Sequence, residues 1–197
     1  DVKTAESVED KKTFTVGFDA EYPPYGYMDE NGEYTGFDLE LAEVVCKLEG
    51  WELVKKPLNW DSKDMELNSG SIDCIWNGFT MNGREDDYTF STPYVDNSQV
   101  IVVAEKSGID TLEDLAGKTV GVQAASAALD LLKSEEEGGQ KNLADTFGAL
   151  NEFADYNTAF TELQAGALDA LAIDVGVANY QIKSRGEGYK ILDETLN

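Results

Sequence analysis

Hydrophobic and polar positions change period repeatedly along this chain. Short apolar runs of β type lie at 14–18, 51–55, 72–76, 99–104, 119–122, 150–153, 170–173 and 189–192. Between them the pattern turns helical. Phe37, Leu41, Val44, Val45 and Leu48 share one face of a helix predicted over 37–48, stopped by Gly50. Further helices are predicted over 62–69 ending at Gly70, over 126–133, and over 175–184. One more runs from its cap at Asn157 to Gln164, with Gly166 as its stop. Thr111 reads as the cap of a short helix through Leu115, and Glu85 to Tyr88 as a helical turn. The stretch 19–36, rich in Pro, Gly, Tyr and acids, reads as a loop with a hairpin turn at Asn31-Gly32. Strands alternating with helices imply parallel βαβ units.

The pattern also repeats itself. Leu67 to Ile75 reads L-N-S-G-S-I-D-C-I, and Leu163 to Leu171 reads L-Q-A-G-A-L-D-A-L. Upstream of each copy, Thr15-Val16-Gly17-Phe18 matches Thr119-Val120-Gly121-Val122. Two repeats in the same order predict two similar α/β lobes. The expected organisation is a flexible polar leader over 1–12, lobe one over 13–95, and lobe two over 96–197. Ligand clefts commonly lie where such lobes meet.

Composition narrows the partners. The chain has 197 residues, with 39 acids against 15 bases and a net charge of −24. That argues against nucleic acid or an anionic membrane, which both need a basic face. No apolar run reaches the length of a membrane span. The absence of histidine removes Ser-His and Cys-His nucleophile pairs and histidine-based metal sites. No cofactor or metal is expected. Cys46 and Cys74 lack metal-ligand spacing and read as free thiols.

Candidate chemistry gathers just beyond the strand ends, where open α/β sheets bind ligands. After the first repeat come Asn77, Gly78, Thr80 and Arg84, and Arg84 is one of only two arginines. A turn with free N–H groups and a planar guanidinium suit a carboxylate. Beyond the matching strand of lobe two, a helix start at Ser126 offers further N–H donors. Asp174 can take an ammonium. Each has a plainer alternative. Arg84 pairs as well with Asp86 or Asp87 on the surface, and Asp174 serves as well for a helix cap. Trp76, inside an apolar strand, reads as core. Trp60, between Asn59 and Asp61, reads as an exposed ring lining a cleft.

These segments resemble a known family. G-F-D-A-E-Y-P-P-Y-G-Y (17–27), N-G-E-Y-T-G-F-D-L-E-L-A (31–42), G-S-I-D-C-I-W-N-G-F-T-M-N-G-R (70–84), F-S-T-P-Y (90–94), L-A-G-K-T-V-G-V-Q-A-A-S (115–126) and L-Q-A-G-A-L-D-A-L-A-I-D (163–174) look like the polar amino-acid solute-binding proteins of ABC importers. The resemblance spans nearly all of residues 14–193. It implies the type II periplasmic-binding fold, two α/β lobes with a ligand cleft. It implies Arg84 on a ligand α-carboxylate, with Gly78, Thr80 and Ser126 contributing, and Asp174 on the α-ammonium. Asp19 would contact a polar or cationic ligand side chain. Tyr22 and Trp60 would wall it, and Asn77 would tune specificity. Ala125 stands where glycine is frequent, and Ala127 where threonine is common.

The function implied is extracytoplasmic capture of a polar amino acid, basic or glutamine-like, by two-lobe closure for an ABC permease, without catalysis. The location implied is extracytoplasmic, in the periplasm or lipid-anchored at the outer face of a bacterial membrane. Family members continue beyond Asp193-Glu194 with a strand and helices that return to lobe one. This chain is expected to lack them and to expose apolar surface on lobe one, a liability for association. Rival readings are a receptor's ligand-sensing domain, a dehydratase on the same fold, and a plain interaction domain.

Overall fold

In chain order the elements begin with β1 (Thr13–Phe18), β2 (Glu21–Tyr22), β3 (Gly26–Met28), β4 (Tyr34–Thr35), α1 (Phe37–Glu49), β5 (Glu52–Pro57), α2 (Lys63–Asn68) and β6 (Cys74–Ile75). They continue with β7 (Gln99–Ala104), β8 (Thr119–Gln123), α3 (Ala127–Lys133), α4 (Lys141–Ala144), β9 (Ala149–Phe153), α5 (Tyr156–Ala165), β10 (Ala170–Asp174), α6 (Val175–Arg185) and β11 (Tyr189–Ile191). The structure, a computed structural model, describes residues 13–186 and 188–197. The leader expected over 1–12 lies outside the described residues. The chain clusters into two compact units. One holds 13–20 with Tyr25–Phe79, and the other Glu21–Pro24 with Thr80–Asn197.

The first unit is built on a parallel sheet in the order β5-β1-β6. Helix α1 packs on it through Leu39 and Ala42, against Val16 and Phe18. This corrects the predicted helix face. Leu39, Ala42 and Cys46 are buried, while Phe37 is 46%, Val44 55% and Leu48 78% exposed. Both stripes have helical spacing, and the small residues bring the helix axis closer to the sheet. Strands β3 and β4 pair as an antiparallel hairpin, so the stretch 19–36 is more ordered than a loop. Its turn spans five residues, with Asp29 Oδ1 accepting from the N–H groups of Asn31 and Glu33.

The second unit carries a mixed sheet, β11-β7-β10-β8-β9, in which β7 runs antiparallel to β10 and β11. β10 is buried along its whole length. The core joins Ile101, Val103, Val120, Val122, Leu129, Leu132 and Ala172. Three predicted details are corrected. α5 is capped by Asp155, whose Oδ1 accepts from Thr158 N–H at 2.7 Å, rather than by Asn157. Residues 85–87 form a hydrogen-bonded turn, with no helix over 85–88, and 113–115 form one 3-10 turn capped at Leu112 rather than Thr111.

The repeated phrase is the junction that closes each unit. Gly70 and Gly166 take left-handed φ values of 75° and 78°. Each donates to the matching leucine carbonyl, Leu67 or Leu163, at 3.1 Å. The chain then turns so that Ile72 and Leu168 cover a glycine in the neighbouring strand. A Cβ on Gly17 would lie 2.5 Å from Ile72 Cδ1, and one on Gly121 2.4 Å from Leu168 Cδ1. The aspartates lock the register. Asp73 Oδ2 accepts from Thr15 N–H, and Asp169 Oδ2 from Thr119 N–H, both at 2.8 Å. The two sequence repeats therefore meet each other inside each unit.

Candidate functional site

In the first unit, Asp19 follows β1 and Asn77 follows β6. Both are buried, and Asp19 N–H donates to Asn77 Oδ1 at 3.1 Å. Gly78 sits in the bend after Asn77 and is half-buried. Trp60 begins the 3-10 turn ahead of α2 and is only 5% exposed. This corrects the expectation of an exposed ring. Its indole meets Phe79 edge-on at 5.2 Å between centroids, and Lys63 Nζ lies 5.4 Å from its centre. Lys63 is itself buried, a cation the sequence reading missed in a helix-start position. Trp76 is half-buried against the β1–α1 core. Neither cysteine is in a disulfide, and Cys74 is only half-buried. Burial raises the Cys46 thiol pKa.

In the second unit, Arg84 Nη2 donates to Asp130 Oδ2 at 2.7 Å and to the Ala125 carbonyl at 3.2 Å. Asp130, on α3, is an acid partner beyond the Asp86 and Asp87 that the sequence offered. Ala125 holds a left-handed φ of 55° without being glycine. Ser126 is buried and caps α3, its hydroxyl accepting from Leu129 N–H at 3.2 Å. The cap uses a lone pair of the hydroxyl and leaves its O–H able to donate.

Asp174 has the most elaborate surroundings. It occupies the N-cap position of α6, yet its side chain makes no capping bond, which removes the plain cap reading. Its carboxylate instead accepts from Gln99 Nε2 at 2.7 Å and from Asn97 Nδ2, with Tyr22 hydrogen-bonded to it as well. Burial is the largest influence and pushes its pKa up, against the pull of those donors. Tyr22 is buried, its ring 5.9 Å from Tyr156. Thr80 Oγ1 lies 3.5 Å from Asn97 Nδ2. Asn97 and Gln99 were invisible in the sequence because their partner lies more than seventy residues away. A glutamine opening an apolar strand was the one available signal. Among the described residues no group of histidine, cysteine or acid side chains is arranged to hold a metal.

Two α/β units of this kind, the second holding an arginine and a buried carboxylate bound by amides, have the fold of the type II periplasmic-binding class. A solved ABC uptake transporter substrate-binding protein from Streptococcus pneumoniae with bound histidine superposes with a TM-score of 0.87. It shares 33% identity, covering 93% of this chain and 75% of that one. An ancestral arginine-binding protein bound to glutamine gives a TM-score of 0.82 at 37% identity, over 94% and 80%. The L-cystine-binding protein TcyJ of Escherichia coli (strain K12) is 30% identical over 193 residues, 96% of this chain and 69% of the relative. The profile of the bacterial extracellular solute-binding proteins, family 3, matches residues 14–183, and the chain belongs to that family. The relatives are named for binding rather than for catalysis.

Proposed function

We propose that this protein captures a polar amino acid outside the cytoplasm and delivers it to an ABC permease. The observation that carries the reading is that the second unit holds both a largely buried arginine and a buried carboxylate bound by neutral amides. Arg84 is a guanidinium with 11% of its side chain exposed, suited to an α-carboxylate. Asp174 is a buried carboxylate held by neutral donors, suited to an α-ammonium. Thr80 contributes beside Asp174, and Gly78 and Ser126 are assigned to the carboxylate.

Asp19, Asn77, Trp60 and Tyr22 are assigned to the ligand side chain. Basic and glutamine-like ligands both suit the buried Asp19. The buried ammonium of Lys63 over Trp60 weighs against a second cation and favours the neutral amide. The mode of capture we propose is the one the resemblance implies, closure of the two lobes on the ligand. Attachment by a lipid anchor and the identity of the permease belong to the same proposal. Among the described residues no helix is long and apolar enough to cross a membrane.

The test is a thermal-shift panel of the standard amino acids. A ligand at a hundredfold its Kd stabilises the native state by about 2.7 kcal/mol, which a melting curve resolves. A shift confined to glutamine, arginine or a near relative supports the reading. A panel without any shift contradicts it.

A further inference from the structure

Asp174 fixes the orientation of two amides, and what is left over points to an unassigned ligand contact. A carboxylate oxygen accepts and never donates, so only the NH2 ends of Asn97 and Gln99 can face it. Both do. Their carbonyl oxygens are thereby turned away, and Asn97 Oδ1 and Gln99 Oε1 are each buried without a hydrogen-bond partner among the described residues. Buried acceptors are normally satisfied, so two left without a partner here call for an explanation. Gln99 is wholly buried in β7, directly opposite Asp174 in the antiparallel register. Asn97 precedes the strand, is half-buried, and stands with its amide 3.5 Å from Thr80 Oγ1.

Asn97 thus joins a hydroxyl oxygen, an amide oxygen and a carboxylate in one small region of the second unit. An α-ammonium carries three N–H donors, and this region offers three kinds of acceptor to meet them. We infer that Asn97 is a ligand-contacting residue whose Oδ1 accepts one N–H of the ligand's α-ammonium, beside Asp174 and Thr80. The inference rests on the amino-acid reading above and adds a residue to it. Asn97 then has two duties. Its nitrogen holds the carboxylate in place, and its oxygen reads the ammonium.

The experiment separates those duties. L-Glutamine and L-arginine are titrated calorimetrically, each beside its Nα-methyl derivative, into the wild-type protein, Asn97→Ala and Asn97→Ser. Melting curves verify that each variant is folded. Methylation removes one N–H, and the donor cheapest to give up is the one facing the neutral amide oxygen. In the wild type, methylation weakens binding about tenfold, in line with a lost hydrogen bond to a charged group. In Asn97→Ala that penalty falls to roughly twofold, because the acceptor is already gone. Asn97→Ser, which keeps an acceptor, retains part of it. An unchanged penalty in Asn97→Ala, with or without weaker binding of the parent amino acid, shows that Asn97 acts only through Asp174 and overturns the inference. Wild-type protein that binds neither amino acid overturns the glutamine-or-basic reading and takes the inference with it.

Discussion

Asp174→Asn should make the unliganded protein more stable while removing its affinity for ligand. The carboxylate is 3% exposed and is surrounded by the neutral donors Asn97, Gln99 and Tyr22. Burial dominates and raises its folded-state pKa above the ordinary 3.8. The folded state then keeps a proton that the unfolded chain has already released. Wild-type stability therefore falls as pH rises from about 4 through that raised value. Asparagine keeps the shape and one acceptor oxygen for the amides but carries no charge. The expected gain at pH 7 is about 1–2 kcal/mol, the scale typical of sites held strained for function. For a chain of this size that is roughly 2–8 °C in melting temperature. Differential scanning calorimetry of both proteins from pH 3.5 to 7.5 measures it, and the gap should open with rising pH. A lower melting temperature for Asp174→Asn at pH 7 would refute the reasoning, since it would make the carboxylate a net stabiliser of the fold.

Three other outcomes follow from the same geometry. Asp130→Asn releases the Arg84 guanidinium from its 2.7 Å internal partner; because Asp130 is 61% exposed, the gain in ligand affinity should stay within about fivefold, roughly 1 kcal/mol, and a loss of affinity in a titration would show instead that Asp130 orients the arginine. Asp73→Ala and Asp169→Ala each remove a strand-locking hydrogen bond and should each lower stability by about 1 kcal/mol in urea unfolding, with the half-buried Asp73 the more costly of the two. Gly17→Ala drives a Cβ into Ile72 Cδ1 and should cost about 1–3 kcal/mol; Ile72→Val, which lacks that methyl, should recover part of the loss in the double variant, and strictly additive unfolding energies would count against the contact.

The sequence was most legible where a local rule and a long-range contact agree. The repeated phrase announced two similar units because Gly70 and Gly166 are needed for the same turn, and Asp73 and Asp169 for the same strand lock. Strand positions followed from apolar runs that are buried on both faces, as in β7 and β10. The helix α1 was legible, but its inward face was not. Two apolar stripes compete there, and the structure buries Leu39, Ala42 and Cys46 rather than Phe37, Val44 and Leu48. Trp60 was misjudged because its polar neighbours Asn59 and Asp61 suggested solvent, whereas Phe79 and Lys63 cover it. The partners of the candidate site were the least legible part. Asn97, Gln99 and Asp130 reach Asp174 and Arg84 only through tertiary structure, and no local spacing connects them.

The central claim is that Arg84 takes the carboxylate of an amino-acid ligand. Calorimetric titration of L-glutamine into the wild-type protein and into Arg84→Ala tests it most directly. A single saturable site is expected in the wild type, weakened a hundredfold or more in the variant, as loss of a charge-assisted pair of about 3 kcal/mol requires. Equal affinity in the two proteins would contradict it.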